Sequence, residues 1–304
     1  MWILLLPCVL AVIMSASVAF FCRRYWKSGC VMLTGAILTN WYGEIVPVNH
    51  NDTNENPGQF RVMAWNIHGG GRDMETYLSI ADLIKTEDAD IVFLSEVFMD
   101  ASHIMDSLLA DRYPYRTTDF HWCAHYFYSK VPLSRSSHIA VEGGNEVIVC
   151  NRVMFNGREL DVYGCHLTSN NCKVPETGYQ SVEQIEDCRS LWSYMKGIDF
   201  ASRQRKKEAQ QVCDTIASRG GALLVMGDMN DISGSAAMST FADIGLKDAW
   251  WNASCGYGAT IHYPLPYRID HILYNHDLRI THCHKTPAKG LSDHDALVAY
   301  FTFE

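Results

Sequence analysis

From residue 60 onward, the chain alternates short apolar runs with stretches of helical periodicity, and this alternation limits the fold more than any other feature. The runs Asp90–Ser95 and Ala222–Met226 are apolar at nearly every residue, which is typical of strands buried on both faces. Ahead of Asp90–Ser95, apolar residues from Met74 to Ile84 recur at the spacing of one helix face. The alternation predicts an α/β domain.

The predicted elements distribute strands over both halves of this domain. Strands are predicted at Arg61–Trp65, Asp90–Ser95, Ala222–Met226, Arg268–Tyr274, Leu278–His284 and Ala296–Phe303, with further β runs across residues 121–165. Helices are predicted at residues 74–84, Ile104–Leu109 and Arg203–Ser218, and residues 169–200 are interpreted as an irregular insertion. Two β-rich halves with helices between them predict two sheets packed face to face and covered by helices.

The N-terminal segment differs from the rest of the chain. Residues 2–22 carry no charge and are long enough to cross a bilayer as a helix, and Arg23, Arg24 and Lys27 follow at once. Only the first Met precedes the apolar run, whereas a cleavable signal peptide carries its positive charges there, so we expect an uncleaved anchor. The basic cluster is expected on the cytoplasmic side.

A second apolar stretch, residues 29–48, is interrupted by Asn40 and Glu44. If it also spans, the two segments form a hairpin and the remainder of the chain is extracytoplasmic; if it lies at the interface, the remainder is cytoplasmic. We favour the hairpin. The predicted organisation is therefore a membrane anchor at residues 1–48, a polar linker at 49–59 and one domain at 60–304.

Charge and cysteine content exclude some classes of function. The net charge of −9 includes +2 in residues 1–50, so residues 51–304 carry −11, which argues against a protein that holds nucleic acid mainly by counterion release. An enzyme that uses a divalent cation to offset repulsion is still compatible with this charge. The eleven cysteines show no CxxC pair, so a structural zinc site has little support. Cys172 and Cys188 are either a disulfide or two unpaired thiols.

Polar residues cluster at the ends of the predicted strands. Because strand ends in an α/β core meet at one rim, we expect these side chains to lie close together. Each has an ordinary explanation as a turn residue, a cap or a core histidine, but a charged Glu96 after a buried strand requires a partner. Together they predict an oxygen-rich site for a hard cation such as Mg²⁺ beside a general acid/base pair. The residues are Asn66, Glu96, His166, Asp228, Asn230, Asp270, Asp293 and His294.

Seven stretches in this order resemble the motifs of the endonuclease/exonuclease/phosphatase superfamily, which includes deoxyribonucleases, exonuclease III-like enzymes, inositol phosphatases and sphingomyelinases. They are AWNIHGG at 64–70, DIVFLSEV at 90–97, YSKVPLS at 128–134, YGCHLTS at 163–169, LLVMGDMND at 223–231, RIDHIL at 268–273 and LSDHDAL at 291–297. The resemblance spans nearly all of residues 60–304 and implies a four-layered α/β sandwich, two packed β-sheets flanked by helices.

The resemblance also implies a role for each residue of the predicted site. Glu96 and Asn66 resemble the metal-binding pair, and Asp293 a further metal contact. Asp228 and Asn230 resemble the residues that orient or deprotonate the attacking water and hold a phosphate oxygen. His294 resembles the histidine that contacts the scissile phosphate, with Asp270 as its carboxylate partner. His166 matches a second histidine found in the deoxyribonuclease, sphingomyelinase and phosphatase branches, whereas the abasic-site endonuclease branch usually has tyrosine there.

The expected function is a membrane-anchored phosphodiesterase that depends on Mg²⁺ or Mn²⁺, most consistent with a nuclease-like enzyme. The alternatives are a phospholipid or inositol-phosphate hydrolase and a non-catalytic membrane-tethered binding module. The expected partners are a phosphodiester substrate and a membrane, contacted through residues 2–22 and, in the hairpin, through 29–48; the oligomeric state is left open. Lys130 stands where the family usually has arginine, and the insertion 169–200, with its aromatic residues Tyr179, Trp192 and Tyr194, is the candidate for substrate choice.

Overall fold

The computed structural model describes Pro47 and residues 58–69, 72–117, 124–140, 147–170, 191–217, 219–262 and 266–304. Two compact units are distinguished, one of residues 49–254 and 258–304 and the other of residues 1–48 and 255–257. All elements below belong to the first unit. The predicted anchor segments, Cys172, Cys188 and Tyr179 lie outside the described residues, apart from Pro47. Within the described part of the chain, no helix is both long enough and apolar enough to cross a membrane.

The described elements follow one another as strands with intervening helices. The strands are β1 (Phe60–Asn66), β2 (Ile91–Ser95), β3 (Tyr115–Arg116), β4 (Tyr126–Ser129), β5 (Leu133–Ala140), β6 (Val147–Phe155), β7 (Arg158–His166), β8 (Ala222–Asp228), β9 (Lys247–Asp248), β10 (Asp270–Tyr274), β11 (Leu278–Thr286) and β12 (Ala296–Phe303). The helices are α1 (Met74–Glu87), α2 (Met99–Leu109), α3 (Leu191–Ala217), α4 (Ala236–Asp243) and α5 (Ala249–Ala253).

The strands form two mixed sheets. The first has the order β11-β12-β1-β2-β4-β3 and the second the order β5-β6-β7-β8-β10-β9. In each sheet the central pair is parallel, β1 with β2 and β7 with β8, while the other pairs are antiparallel. The carboxyl ends of the parallel strands therefore define one edge in each sheet.

Side chains along the central strands point alternately to the two faces of each sheet, and they contribute to three separate apolar cores. In β1, Val62 and Ala64 face the core between the two sheets, whereas Met63 and Trp65 face helices α1 and α2. In β8, alternate residues likewise face the inter-sheet core and the core beneath α3 and α4. Helix, sheet, sheet and helix thus form four layers, and the predicted pair of packed sheets flanked by helices is confirmed.

Two glycines allow the sheets to approach at the end where the central strands finish. Across the sheets, an added Cβ would lie 2.2 Å from a ring carbon of Phe93 at Gly164 and 2.7 Å from another carbon of the same ring at Gly227. At Gly227 it would also lie 2.0 Å from the carbonyl oxygen of Cys165 in the neighbouring strand. Gly227 also has φ +133°, which L side chains rarely adopt. Because Gly227 immediately precedes Asp228, this close packing fixes the direction in which that carboxylate leaves the sheet.

Helix α3 is longer than its sequence pattern predicts. Residues 203–218 were expected to be helical and residues 169–200 irregular, but the helix begins at Leu191. Gly197 lies inside it, and an interior glycine costs about 1 kcal/mol of helix stability, which weakens the sequence signal there. The helix is maintained by its apolar face, on which Ala209, Val212 and Ile216 pack against the second sheet.

Candidate active site

The ends of the central strands bring together side chains from both sheets. Asn66 ends β1, Glu96 follows β2, His166 ends β7 and Asp228 ends β8. In the second sheet, Asp228 is in register with His166 on one side and with Asp270 on the other. The geometry follows from the mixed topology, because only parallel neighbours place their carboxyl ends at the same edge.

Asp228 lies at the centre of this cluster. Its Oδ2 accepts a hydrogen bond from Asn66 Nδ2 at 3.1 Å and lies 3.7 Å from His166 Nε2 and 3.8 Å from His294 Nε2. The side chain is 2 % exposed. Burial raises the pKa of Asp228 above its ordinary value, although the charges of His294 and His166 act in the opposite direction. One oxygen therefore faces both imidazoles of the predicted site.

His294 is paired with a second buried carboxylate. Its Nδ1 lies 2.8 Å from Oδ2 of Asp270, which is fully buried. Although burial acts to lower it, the negative charges of Asp270 and Asp228 raise the pKa of His294 to about 10. The Asp270 contact also fixes the ring so that Nε2 points toward Asp228. His294 is thus a cationic donor at neutral pH.

Glu96 provides the more open side of the cluster. Its Oε1 accepts a hydrogen bond from Asn66 Nδ2 at 3.0 Å and lies 3.6 Å from His166 Nε2, while its Oε2 lies 3.0 Å from His68 Nδ1. The Glu96 side chain is 23 % exposed, in contrast to Asp228. The Asn66 amide therefore bonds both the partly exposed carboxylate of Glu96 and the buried carboxylate of Asp228.

Asn230 is held by two short contacts within its own loop and the neighbouring one. Its backbone N–H donates to Asp228 Oδ1 at 2.8 Å, and its Nδ2 donates to the carbonyl of Leu167 at 2.9 Å. Its backbone is left-handed, with φ +49°, as are those of Glu96 (φ +58°) and His68 (φ +44°). Left-handed non-glycine residues are uncommon and cluster at functional sites, which agrees with their grouping here.

Asp293 is placed apart from the other predicted residues. It is exposed, and its Oδ1 lies 3.3 Å from the hydroxyl of Ser292. Its charge also contributes to the raised pKa of His294, so it lies on the rim beside that histidine. The structure brings the other predicted residues into one connected cluster.

Two further residues support the site but were not among those predicted from the sequence. Ser292 Oγ donates to the carbonyl of Asn66 at 2.7 Å and accepts from the backbone N–H of His294 at 3.1 Å, so it joins β1 to the loop before β12. His68 contacts Glu96 as described above. Both lie inside the motif stretches, which is the signal that could have found them.

Other polar residues of the motifs have structural partners instead. Arg268 and His271, which flank Asp270 in the RIDH stretch, are buried and bind Asp248, with Nη1 and Nδ1 respectively 2.8 Å and 2.9 Å from its Oδ2. Lys130 lies at the amino end of β2, with Nζ 2.8 Å from Asp88 Oδ1. Lys130, which stands where the family usually has arginine, therefore lies at the end of the first sheet opposite Glu96.

The donor set fits a hard divalent cation, for which carboxylate and amide oxygens are the preferred ligands. Two places offer such donors. One is the partly exposed carboxylate of Glu96. Asn66 faces it with Nδ2, while its Oδ1 accepts a hydrogen bond from the backbone N–H of His68 at 3.0 Å. The other is the buried group of Asp228, Asp270 and His294, whose ligand atoms lie within 4.8 Å of one another. There Asp270 Oδ1 is buried and has no hydrogen-bond partner among the described residues.

Comparison with known proteins gives a family match and solved structures of similar fold. The sequence pattern of the Endonuclease/Exonuclease/phosphatase family matches residues 63–294. A comparison with curated protein sequences gave no match. Many solved structures share the fold. The sequence identities of the examples below are 15 % to 19 %, and such low identities show the fold alone.

Three of these structures illustrate the similarity. The human nocturnin catalytic domain with a bound sulfate anion has a TM-score of 0.60 and 19 % identity, covering 81 % of this chain and 94 % of its own. Humanized TDP2 of D. rerio has a TM-score of 0.59 and 15 % identity, covering 81 % of this chain and 99 % of its own. A mutant of beta toxin from Staphylococcus aureus with bound magnesium ions has a TM-score of 0.56 and 16 % identity, covering 80 % and 99 %.

Proposed function

The chain belongs to the endonuclease/exonuclease/phosphatase family, and from this membership and the site geometry we propose that it is a metal-dependent hydrolase of phosphodiesters with a nuclease-like mechanism. The observation that carries the proposal is the position of Asp228. Its buried Oδ2 lies 3.7 Å from His166 Nε2 and 3.8 Å from His294 Nε2. A carboxylate between two imidazole donors suits in-line attack of water on phosphorus.

The side chains have distinct tasks in this reaction. The attacking water forms a bond to phosphorus while the bond from phosphorus to the leaving oxygen breaks, and the leaving oxygen keeps the electron pair of that bond and takes up a proton from solvent. Asp228, with Asn230 held against it by a 2.8 Å hydrogen bond, orients the water and accepts its proton. His166 and His294 donate hydrogen bonds to phosphoryl oxygens, on which negative charge develops, and removing one such donor typically costs about 10²–10³-fold in rate.

The metal is assigned to the open side of the site. Glu96 would hold it, because Mg²⁺ keeps several water ligands and a partly exposed carboxylate leaves room for them. Asn66 would contribute its amide oxygen after the side-chain amide turns, since Nδ2 faces Glu96. The exposed Asp293 is the candidate for a further contact from the rim. When bound, the cation supplies positive charge that offsets the charge developing on the phosphoryl group. The supporting observations are the oxygen-rich donor set and the magnesium ions bound to the structurally similar beta toxin.

A second substrate class is favoured by the charge of the domain. Residues 51–304 carry a net charge of −11, which repels a polyanion such as DNA but not a zwitterionic lipid head group. A phospholipid with a zwitterionic head group is therefore the second candidate substrate, whereas an anionic inositol phosphate gains no support from the charge of the domain. The bond hydrolysed and the tasks of the site residues are the same for both classes.

The test is an assay of the purified 304-residue chain in detergent with three substrates: supercoiled plasmid DNA, sphingomyelin in mixed micelles and bis(p-nitrophenyl) phosphate. We expect hydrolysis with Mg²⁺ or Mn²⁺, loss of hydrolysis with EDTA, and a loss of at least about 10²-fold in the variants Asp228→Asn and His294→Gln. The substrate with the highest kcat/KM identifies the class.

Matched controls separate the site from general effects of substitution. Asp111→Asn and His276→Gln change the same residue types at positions whose side chains are 70 % and 85 % exposed, and they should retain wild-type activity. A folded wild-type protein that hydrolyses none of the substrates with either metal would contradict the proposal. That result would favour a non-catalytic binding module with the same fold.

A further inference from the structure

The loops that begin after His166 and Asp228 are bonded to each other, and the second of them carries Asn230. The backbone N–H of Leu167 donates to the carbonyl of Asp228 at 2.9 Å. Asn230 Nδ2 donates to the carbonyl of Leu167, also at 2.9 Å. The position of the Asn230 side chain therefore depends on the path of the loop that begins after His166.

Two buried charged side chains of helix α3 face the first of these loops. Glu208 is fully buried, and its carboxylate accepts hydrogen bonds from the backbone N–H of Thr168 at 2.9 Å and from the Thr168 hydroxyl. Arg205 is 3 % exposed, and its Nη1 donates to the carbonyl of Thr168 and to Asn170 Oδ1, each at 2.9 Å. The backbone of Thr168 is thus bonded at both its N–H and its carbonyl.

Arg205 also reaches the second loop. Its Nε lies 3.1 Å from Oδ2 of Asp231, the residue that follows Asn230. The carbonyl of Asp231 in turn lies 3.0 Å from Nε2 of the buried His271. A single guanidinium therefore bonds to both loops, the one after His166 and the one that carries Asn230.

Stability alone is a weak explanation for this arrangement. Burying an arginine and a glutamate carries a large desolvation cost, and apolar residues of similar volume often stabilise a protein at least as well. The planar guanidinium differs from other side chains in that it directs several N–H groups at fixed angles. Such an arrangement suits a site in which a displacement of about 1 Å costs about 10²-fold in rate.

We propose that Arg205 and Glu208 are positioning residues that hold His166 and Asn230 at their places beside Asp228. They act through the loop residues Thr168 and Asp231 and do not themselves contact the substrate. The inference rests on the proposed hydrolytic function, because a positioning effect on the rate requires a reaction at this site.

The test compares Arg205→Lys with Arg152→Lys in the full-length protein. Arg152 also binds a carboxylate through two N–H groups, its Nε 2.6 Å and its Nη2 2.9 Å from the two oxygens of Asp161. That pair joins β6 to the middle of β7, away from the end of β7 at His166. We expect Arg205→Lys to lower kcat about 10- to 100-fold with little change in KM. We expect Arg152→Lys to lower the unfolding temperature and leave kcat unchanged.

A double-mutant cycle with Asn230→Ala tests whether Arg205 acts through the loop. If Arg205 holds Asn230 in place, Arg205→Lys should lower kcat less in the Asn230→Ala background than in the wild type. Fully additive losses would contradict positioning of Asn230. Glu208→Gln keeps the shape of the side chain and should recover most of the kcat that Glu208→Ala loses.

A measurement that needs no activity separates this inference from the proposed function. In protein with ¹⁵N-labelled histidine, the ring signals of His166 are assigned by their loss in His166→Gln. Arg205→Lys should shift these signals and Arg152→Lys should not. If the wild type hydrolyses nothing, the proposed function fails while the signals still report on positioning; unchanged His166 signals in Arg205→Lys overturn the inference.

Discussion

The charge state of His294 is set by two carboxylates rather than by its own exposure. Its Nδ1 lies 2.8 Å from Asp270, and the negative charges of Asp270 and Asp228 raise its pKa to about 10 although burial acts to lower it. At neutral pH the ring therefore has a proton on each nitrogen, and Nε2 can donate to a phosphoryl oxygen. Loss of the Asp270 charge should remove most of this effect.

Asp270→Asn is expected to lower kcat about 10²–10³-fold with little change in side-chain shape. Two quantities are measured: kcat, and the pKa of His294 from an NMR titration in the presence of EDTA. This pKa should fall toward 6.5 in the variant. Because folding raises this pKa, the contribution of His294 to stability is complete below about pH 6.5 and is lost as pH rises through about 10. The difference in unfolding free energy between wild type and variant should shrink over that range.

The control for this variant is Asp277→Asn, which changes the partner of an exposed histidine. His276 Nε2 lies 3.7 Å from Asp277 Oδ1, and the His276 side chain is 85 % exposed. We expect no change in kcat, because exposed pairs contribute little. A wild-type rate in Asp270→Asn would show that the carboxylate partner of His294 is dispensable.

The location of the metal can be tested by thermal unfolding. A cation that binds only the folded protein stabilises it by about 2.7 kcal/mol at a hundredfold excess over Kd, so Mn²⁺ should raise the Tm of the wild type. We expect Glu96→Gln to remove most of this increase. If Glu96→Gln keeps the increase and Asp270→Asn loses it, the cation binds instead at the buried group of Asp228, Asp270 and His294.

The sequence motifs predicted the polar residues of the cluster better than they predicted the neighbouring residues that hold them in place. Glu96 and Asp228 follow buried strands, a pattern that is visible in the sequence. Ser292 contributes through hydrogen bonds to the backbone of Asn66 and His294, and backbone partners leave no mark on residue identity. The left-handed backbone of His68 is likewise a property of the folded chain.

At the level of elements, the contact between β7 and the first sheet depends on a residue without a side chain. An added Cβ at Gly164 would lie 2.2 Å from a ring carbon of Phe93 and 2.8 Å from one of Phe127. The two rings pack against each other with centroids 5.0 Å apart and are fully buried. They therefore have little room to move.

Gly164→Ala is expected to lower the unfolding free energy by about 1–3 kcal/mol or more, because overpacking forces the rings from their positions. Chemical denaturation measures the change. Phe93→Leu should recover part of it in the double variant, which a double-mutant cycle would detect. Gly220→Ala is the control, since an added Cβ there meets nothing within 4 Å. Equal stability of the two single variants would contradict the close contact.

Helix α5 begins at a carboxylate that also bonds the buried Arg268 and His271. Asp248 accepts a hydrogen bond from the backbone N–H of Trp251 at 3.2 Å and bonds Arg268 at 2.8 Å. Although burial acts to raise it, Arg268 and His271 hold the pKa of Asp248 well below its ordinary value. The stabilisation is therefore present above about pH 4 and is lost as pH falls toward the lowered pKa.

Asp248→Asn should keep the helix cap but leave Arg268 without its charged partner. We expect a loss of about 3 kcal/mol in unfolding free energy at neutral pH, as is typical when one member of a buried pair is removed. Denaturation at several pH values should show wild type and variant converging as the solution becomes acidic. A difference that stays constant down to about pH 2 would argue against the ionised pair.

The sequence predicted which elements exist more reliably than where they end. Strand β2 and strand β8 are recognisable because both faces are buried, so apolar residues are continuous. Helix α3 extends to Leu191 across Gly197, where local propensity is poor, because packing against the second sheet further along the helix stabilises it. The pairing order of the strands depends on contacts between distant segments, and hydrophobic periodicity contains no information about those.

At the scale of the whole molecule, the site exists because two sheets end side by side. Asn66 and Glu96 come from the first sheet, and His166 and Asp228 from the second, yet Asn66 Nδ2 bonds both carboxylates within 3.1 Å. Neither sheet alone holds the complete cluster. The site geometry is therefore as stable as the packing between the sheets, which Phe93 and Phe127 help to form.

The acidic charge of the molecule makes the two substrate classes respond differently to salt. With −11 on residues 51–304, long-range repulsion slows the approach of DNA, and screening weakens that repulsion. At fixed Mg²⁺, kcat/KM for DNA should rise or stay level as KCl increases from about 20 to about 150 mM, the range over which the screening length falls to about 8 Å. Hydrolysis of zwitterionic sphingomyelin should change little.

A basic surface would give the opposite dependence. Proteins that bind DNA by releasing counterions lose affinity steeply with salt, by about 10³-fold or more between 50 and 200 mM for several phosphate contacts. A steep fall of kcat/KM for DNA would therefore show that a local basic surface outweighs the net charge. Bis(p-nitrophenyl) phosphate serves as the control for salt effects on the chemistry itself. It carries one charge, so the acidic domain repels it weakly and salt screening should change its kcat/KM little.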